Sequence, residues 1–336
     1  MEVYWSDLPK DLLFSIASRT EHLFDYIRFG AVCKSWRSAV TVNPRPLHLR
    51  FPLLFACNRR DYFLYSPFEC KLHPIKLPSI SVGCLGSSSN GWVCMLRNDL
   101  DIYLFNPFSN SEVLLPPLRT DFISELIPLL SVRKAVWSAE PTDPNCIVVL
   151  LYDEANGVVY CRPGDVRWTM FKISLGNRFD AIFFNNKNLY VVDCRSGRVA
   201  AVDLHRGREM TVAEGRDGFC DGSGKSRYLV AGPSGPLLVV RHMKNMSETR
   251  RFELFELDGT LKKWVETKSL DEGMLFLGMN TSIWVSSSNL KGCKGNSIYF
   301  MHYNTNLGIF YLEDGSFGSM CGLPSHYSYE WVVPIP

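Results

Sequence analysis

The chain has 336 residues, of which 46% are hydrophobic and 21% are charged. That balance excludes a disordered chain, a collagen-like chain and a long coiled coil, because each of those classes has a strongly biased composition. The 36 basic and 34 acidic side chains give a formal charge of +2, so no overall field attracts nucleic acid or an anionic membrane. The sequence therefore predicts a folded protein of about two domains that binds neither.

The first 43 residues carry two helical patterns. In the first, aliphatic side chains recur at spacings that place them on one helical face, at Leu8, Leu12, Leu13 and Ile16. Pro9 suits the first turn of this helix, because its missing N–H has no helical partner to lose there. The second pattern runs over about residues 22–40, and Asn43-Pro44 ends it. About 40 residues are too few to bury all these side chains in a core of their own, so part of this surface needs a partner.

Beyond Pro46 the pattern changes to short apolar or alternating runs separated by turn dipeptides, which is typical of an all-β structure. The predicted strands include residues 147–152, 189–193, 237–241, 297–303 and 308–312. Several Trp residues follow in this region, at positions 92, 137, 168, 264, 284 and 331. Their large apolar side chains are predicted to fill the core.

A repeat indicates the arrangement of these strands. Residues 63–68 read Phe-Leu-Tyr-Ser-Pro-Phe, residues 103–108 read Tyr-Leu-Phe-Asn-Pro-Phe, and both segments then run to Leu-Pro, at Leu77 and Leu115. A strand, a proline turn and a return strand recurring at about 40 residues match one four-stranded propeller blade. Residues 51–336 number 286, enough for about six blades. A pair of β-sandwiches with similar hairpins is the alternative that the sequence leaves open.

The N-terminal segment resembles an F-box over roughly residues 4–43. Residues 5–16 read Trp-Ser-Asp-Leu-Pro-Lys-Asp-Leu-Leu-Phe-Ser-Ile, and residues 27–37 read Ile-Arg-Phe-Gly-Ala-Val-Cys-Lys-Ser-Trp-Arg. This resemblance implies binding to a Skp-family adaptor of SCF-type ubiquitin ligases, and through it to cullin and RING subunits. It also implies the residues of the adaptor interface or its immediate support: Leu8, Pro9, Leu12, Leu13, Ile16, Val32, Cys33 and Trp36.

The rest of the chain, about residues 46–333, resembles the KIB-type β-propeller domain of plant F-box proteins. The resemblance lies in Gly-Asn-Ser-Ile-Tyr-Phe at residues 295–300, Tyr-Leu-Glu-Asp-Gly-Ser at 311–316, and the Asn-Pro and Leu-Pro-Pro elements. It implies a module whose loops hold a target protein. The fold class expected is an α+β multidomain protein, with a small all-α F-box domain followed by an all-β propeller of six blades. The expected limits are residues 1–43 for the F-box, 44–50 for a linker and 51–336 for the propeller.

The function expected from this resemblance is that of a non-catalytic substrate-recognition subunit of an SCF-type E3 ubiquitin ligase. Two alternatives stay open: an F-box scaffold that drives no degradation, and a propeller enzyme with a helical cap. The enzyme is disfavoured here because inner strands of propeller enzymes carry acids, whereas the inner-type runs 147–151 and 237–240 are apolar. The residues that would bind the substrate protein stay unknown.

No cofactor, metal site or catalytic residue is predicted. The seven histidines form no metal-binding cluster, and the 11 cysteines fit neither a zinc site nor a disulfide framework. Residues 222–226 end like a phosphate-binding loop, but Phe219 stands where that motif needs its first glycine. The cysteine usage favours a reducing compartment, the cytoplasm or the nucleus. The apolar runs are too short for a membrane-spanning helix, so no membrane association is expected.

Overall fold

The computed structural model describes residues 5–20, 23–42, 51–58, 61–77, 81–87, 91–97, 101–117, 132–152, 157–175, 179–184, 188–215, 224–244, 248–290, 293–301 and 306–334. The predicted linker 44–50 and the glycine-containing segment 216–223 lie outside the described residues. The expected domain limits therefore stay predictions.

Among the described residues, three α-helices precede the strands: α1 (Lys10–Ser18), α2 (Leu23–Ala31) and α3 (Lys34–Val42). Helix α1 begins after Pro9, whose carbonyl accepts hydrogen bonds from the N–H groups of Leu12 and Leu13, both at 3.1 Å. The helical pattern predicted over residues 22–40 forms two helices, because the helical conformation is interrupted between Ala31 and Lys34. Helix α3 begins a new series of helical hydrogen bonds there, and the N–H of Arg37 donates to the carbonyl of Cys33 at 2.9 Å.

The break allows α3 to fold back against α2. The Tyr26 hydroxyl on α2 donates to the carbonyl of Val40 on α3 at 3.3 Å. Gly30 lies so close to α3 that a Cβ atom there would stand 2.9 Å from a methyl group of Val40. The apolar spacing continues across the break, and for that reason the sequence pattern alone indicated one helix.

In the described part of the chain, twenty-five strands follow in six sheets, which we number as blades in chain order. Blade 1 contains β1 (Leu53–Cys57), β2 (Tyr62–Ser66), β3 (Lys71–Pro74) and the last strand, β25 (Ser328–Val332). Blade 2 contains β4 (Ser81–Ser87), β5 (Val93–Arg97), β6 (Ile102–Asn106) and β7 (Ser111–Leu114). Blade 3 contains β8 (Val132–Trp137), β9 (Val148–Tyr152), β10 (Gly157–Cys161) and β11 (Thr169–Lys172).

The remaining blades complete the ring. Blade 4 contains β12 (Phe179–Phe184), β13 (Asn188–Asp193), β14 (Val199–Asp203) and β15 (Arg208–Ala213). Blade 5 contains β16 (Lys225–Ala231), β17 (Pro236–Met243), β18 (Thr249–Asp258) and β19 (Lys263–Thr267). Blade 6 has five strands: β20 (Gly273–Leu277), β21 (Ser282–Ser286), β22 (Ser297–Met301), β23 (Asn306–Tyr311) and β24 (Phe317–Gly322). Here β20 and β22 pair in parallel, whereas the pairs in the other blades are antiparallel.

These sheets form a six-bladed β-propeller, which confirms the predicted fold and excludes the pair of β-sandwiches. The innermost strands contact one another around a common axis, β4 with β8, β8 with β12, β12 with β16, β16 with β21, and β25 with β4. The last strand closes the ring by pairing with the first strand, from Leu53 opposite Val332 to Cys57 opposite Ser328. The two ends of the β region thus build one blade together.

The repeat found in the sequence occupies equivalent places in blades 1 and 2. In both, the third strand from the axis turns into the outer strand, at residues 62–74 and 102–114. The N–H of Ile75 donates to Tyr62, and the N–H of Leu115 donates to Ile102, so the same hydrogen bond recurs 40 residues on. The turn residues Cys70 and Asn110 adopt nearly equal positive φ angles, 50° and 58°. The hairpin prediction is therefore confirmed.

Each pair of neighbouring blades shares one apolar cluster. Five of the six tryptophans predicted to be core are buried, and Trp284 is half-buried. Three of them also bridge blades: the indole N–H of Trp92 donates to Glu140 at 2.5 Å, that of Trp168 to Pro116 at 2.7 Å, and that of Trp264 to Gly197 at 2.7 Å. Eight described cysteines are free thiols, and Cys70 is disulfide-bonded, which the cysteine spacing did not predict.

Candidate functional site

The N-terminal helices display a set of exposed apolar side chains, although small domains normally bury such groups. Leu12 and Ile16 on α1 are 52% and 44% exposed, and Val32 after α2 is 59% exposed. Residues four apart on a helix lie on the same face, so Leu12 and Ile16 are neighbours. The exposed Pro9 precedes them at the start of α1. We call Pro9, Leu12, Ile16 and Val32 the apolar face of the helices.

The other residues expected at the adaptor interface or supporting it lie further inside. Leu13 is 0% exposed, and Leu8, Cys33 and Trp36 are half-buried. The Trp36 ring packs on Phe29 with centroids 4.3 Å apart, and its indole N–H donates to the carbonyl of Trp5 at 3.0 Å. The eight residues therefore divide into four exposed residues and four that are half-buried or buried.

Two exposed apolar residues were missed by the sequence analysis, Trp5 and Phe14. Trp5 lies in a short 3-10 helix that contacts α3, and Phe14 lies on α1 between Leu12 and Ile16. Neither residue belongs to the apolar period of α1, and neither was among the eight residues that the F-box resemblance implied. The large apolar side chains of Trp5 and Phe14, outside that period, were the signal in the sequence that could have identified them.

The helices are also attached to the propeller. Leu13, Tyr26 and Phe29 belong to the same apolar cluster as Phe55 of blade 1 and Tyr103 of blade 2. The Phe24 ring on α2 stacks on the His73 imidazole on β3, with centroids 3.7 Å apart. Burial lowers the pKa of His73, and nearby Arg28 and Lys71 contribute to that lowering, which favours the neutral imidazole in this stack. Part of the partner surface that the short helical segment requires is thus supplied by its own propeller.

Polar side chains occur on the innermost strands, near the propeller axis. Lys134 on β8 and Asp180 on β12 form a buried ion pair, with Nζ to Oδ1 at 2.7 Å. Asp180 also accepts hydrogen bonds from the backbone N–H groups of Ala181 and Leu229, at 2.8 and 3.1 Å. Its two oxygens therefore join three blades, and both are occupied by donors.

The inner strands of the blades are not the apolar runs that the sequence predicted. The apolar runs 147–151 and 237–240 lie mainly on β9 and β17, which are the second strands of blades 3 and 5. Second strands are covered on both faces by neighbouring blades, so they are the more uniformly apolar. The argument that acids are missing from the inner strands is therefore wrong, because Asp180 and Glu330 both lie there.

Glu330 on β25 is buried at the same axis. Its carboxylate accepts hydrogen bonds from the backbone N–H of Asn280 at 3.2 Å and from the Asn280 side-chain amide at 2.8 Å. Burial raises the pKa of Glu330 to about 8, against a lowering by the Asn280 and Thr281 hydrogen bonds and by Lys134. A carboxyl group with this pKa is largely protonated at neutral pH.

Replacing Glu330 should therefore change how stability depends on pH. The folded protein holds a proton that the unfolded chain releases, so the free energy of unfolding falls as pH rises between 4.5 and about 8, by up to about 1.4 kcal/mol per pH unit. Glu330→Gln keeps an acceptor for Asn280 and removes the titration, so this fall should disappear. Urea unfolding of both proteins across that range measures it.

The control for this experiment is Glu266→Gln, which changes an exposed carboxyl on β19. It should keep the pH dependence of the wild type. Parallel curves for the wild type and Glu330→Gln would show that Glu330 is ionised throughout.

Within the described ranges, no group of three or more His, Cys, Asp or Glu residues is arranged to hold a metal ion. Buried thiols lie deep in the blades, and burial raises the pKa of Cys57 to about 12 and that of Cys94 further. Such thiols remain protonated and are poor nucleophiles. Searched over the same part of the chain, no helix is both long and apolar enough to span a membrane.

A helical module with an exposed apolar face, attached to a six-bladed propeller, defines a two-domain interaction protein. Comparison with known families agrees: residues 5–47 match the F-box domain and residues 64–311 match the KIB1-4 β-propeller. The chain belongs to the family of F-box proteins that carry a KIB1-4 β-propeller.

Several relatives of the chain are plant proteins that the chain matches over most of their length. The chain is 28% identical to an Arabidopsis thaliana F-box protein, At3g25750, across 93% of this chain and 92% of that protein. It is 24% identical to the F-box protein SKIP23 of the same plant, across 99% of this chain and 95% of that protein. The resemblance stated from the N-terminal and C-terminal motifs is therefore confirmed.

Proposed function

We propose that this protein is the substrate-recognition subunit of an SCF-type E3 ubiquitin ligase. Its F-box binds a Skp-family adaptor, which connects it to cullin and RING subunits, and its propeller holds a target protein for ubiquitination. It acts in the cytoplasm or the nucleus. The presence of both domains in one chain supports the general role of substrate receptor.

The observation that carries the proposal is the apolar face of the helices. Leu12, Ile16 and Val32 remain exposed although Leu13 beside them is fully buried against the propeller. The helices are therefore already packed against the propeller, and their apolar face remains available to bind another protein. Fully burying an exposed leucine contributes about 1.5 to 3 kcal/mol, so this face can contribute to the binding of a partner.

The propeller fits the second half of the role because it is a rigid platform. Its ring is closed by strand pairing between β1 and β25, and each pair of blades shares an apolar cluster. A rigid receptor attached to a rigid F-box keeps a bound target at a fixed distance from the ubiquitin-conjugating enzyme. Transfer is then accelerated by proximity, with no catalytic group required from this chain. F-box proteins are typically non-catalytic subunits.

Two alternatives to this proposal make different predictions, one about cullin recruitment and one about acidic groups near the axis. A scaffold without ligase function would bind the adaptor but recruit no cullin. A propeller enzyme would need free acidic groups near the axis, and both oxygens of Asp180 are engaged in structural contacts. The engagement of Asp180 disfavours the enzyme.

The test is reconstitution of the full-length protein with purified subunits. We expect the protein to co-elute with a Skp-family adaptor in size-exclusion chromatography, and to retain cullin and RING subunits when the adaptor is present. Omitting the adaptor should abolish cullin retention. Adaptor binding without cullin retention would favour the scaffold, and failure to bind the adaptor would contradict the proposal.

A further inference from the structure

A cavity of about 560 Å³ lies near the axis of the propeller. Inner strands of blades 3, 4, 5, 6 and 1 line it, together with the turn between β20 and β21. Its volume lies within the range of about 300 to 1,000 Å³ that is usual for ligand sites. Because strands of five blades surround the cavity, it suits a small molecule or the end of a chain better than the middle of a chain.

One wall of the cavity is apolar. Its side chains come from blade 6 and its β20–β21 turn, and from the segment between β24 and β25: Leu277, Met279, Met301, Leu323 and Tyr327. Met279 lies in the turn and is 74% exposed, so it is available to contact a bound molecule. The turn is fixed, because its neighbour Asn280 donates twice to Glu330, at 3.2 and 2.8 Å. The cavity therefore offers an apolar contact surface in a defined position.

Arg241 on β17 lies on another wall of the cavity and is 3% exposed. Its Nε donates to the Thr249 hydroxyl and its Nη1 donates to the Met301 carbonyl, both at 2.9 Å. The guanidinium also lies over the Phe300 ring, 4.8 Å from the centroid, and Nη1 lies 3.5 Å from the Tyr228 hydroxyl. All of these partners are neutral. Among the described residues Nη2 has no hydrogen-bond partner, and this nitrogen retains accessible surface.

The other cationic side chains of the lining have partners of their own. Lys134 forms an ion pair with Asp180, and Lys225 interacts with Glu253. Two further cations of the lining also take part in interactions: Arg195 and Arg227. Among the lining residues that the structure describes, Arg241 is thus distinguished by having only neutral partners.

A buried cation without a nearby anion destabilises a protein, because the loss of its hydration is not compensated. A single carboxylate bound in the cavity would balance the charge of Arg241. Guanidinium and carboxylate groups match in geometry and form charge-assisted hydrogen bonds, and Nη2 has two N–H groups to donate. Ser226 and Ser328 in the same lining add hydroxyl groups that can donate to the carboxylate.

We propose that this cavity binds a carboxylate that is attached to a large apolar group. The carboxylate pairs with Arg241, and the apolar group packs on the wall that contains Met279 and Leu323. The ligand is either a small apolar carboxylic acid or the C-terminus of a protein chain whose last residue is large and apolar, since both present this chemistry. The second source rests on the proposed role as a substrate receptor, whereas binding of the carboxylate does not.

The experiment measures binding by saturation-transfer NMR titration with the full-length protein. Two probes separate the sources of the carboxylate: N-acetyl-phenylalanine, and the tetrapeptide acetyl-Gly-Ser-Gly-Phe, each compared with its C-terminal amide. The test variants are Arg241→Gln, which removes the charge, and Met279→Asp, which places a negative charge on the exposed turn. The matched control is Arg250→Gln, which removes the same charge from an exposed position on β18 of the same blade.

We expect the wild type and the control to bind the acids saturably with a Kd of about 1 mM or below, as ligands of this size can. Binding should weaken at least about tenfold for the amides and for Arg241→Gln. If Arg241→Gln fails to fold, Met279→Asp should still weaken binding at least about fivefold, because its charge repels the carboxylate.

The outcomes separate the two sources and the two proposals. Tighter binding of the tetrapeptide supports a chain terminus as the ligand, and equal binding of the two acids supports a small acid. Equal binding of acids and amides, equal weakening in Arg250→Gln, or no saturable binding to the wild type would overturn the inference. A protein that binds the adaptor but neither acid would contradict this inference and leave the proposed function intact.

Discussion

Trp331→Ala is expected to lower the free energy of unfolding by about 3–5 kcal/mol, the usual range for removing a buried aromatic side chain. Trp331 is fully buried on β25, the strand that closes the ring against β1. Its ring packs on Phe276 of blade 6 with centroids 4.9 Å apart. The substitution therefore leaves a cavity between the first and last blades. The ring is closed at this place by strands that are distant in the chain.

Trp331→Phe is the matched variant for this prediction. The indole N–H of Trp331 has no hydrogen-bond partner among the described residues, so phenylalanine loses no described hydrogen bond and keeps most of the apolar volume. We expect it to cost clearly less than Trp331→Ala, because it leaves a smaller void. Urea unfolding measures both variants. An equal decrease in the free energy of unfolding for the two would show that ring closure does not depend on packing at this position.

Leu13→Ala and Leu12→Ala should differ strongly although the two residues are adjacent. Leu13 is fully buried between the helices and blades 1 and 2, so its truncation should cost about 2–5 kcal/mol. Leu12 is exposed, and its truncation should change stability by less than about 0.5 kcal/mol. Urea unfolding of the two variants measures the difference, and equal costs would contradict the described packing of α1.

The propeller was predictable from the sequence because its repeat is local. The segments at 63–68 and 103–108 each form one hairpin, and a hairpin is specified by nearby residues. The pairing of β1 with β25 was not predictable in this way. Their partners are separated by most of the chain, and nothing in either strand identifies the other.

Two details of the candidate sites could not be predicted from the sequence and became visible only in the structure. Leu12 and Leu13 share one apolar period, yet the propeller covers Leu13 and leaves Leu12 exposed. The inner strands were missed because apolar runs identify strands that are covered on both faces, whereas strands at the axis face a polar cavity. Charged residues within short strands, such as Lys134 and Asp180, were the signal available for them.

Adaptor affinity is the most direct test of the central claim, that the apolar face of the helices binds a Skp-family adaptor. We predict that Leu12→Asp with Ile16→Asp weakens the adaptor complex by about 100-fold or more, because charge enters an apolar contact. The control, Leu114→Asp with Met210→Asp, places the same charges at exposed apolar positions on the propeller. It should bind as the wild type does. Unchanged affinity in a folded Leu12→Asp, Ile16→Asp protein would contradict the account.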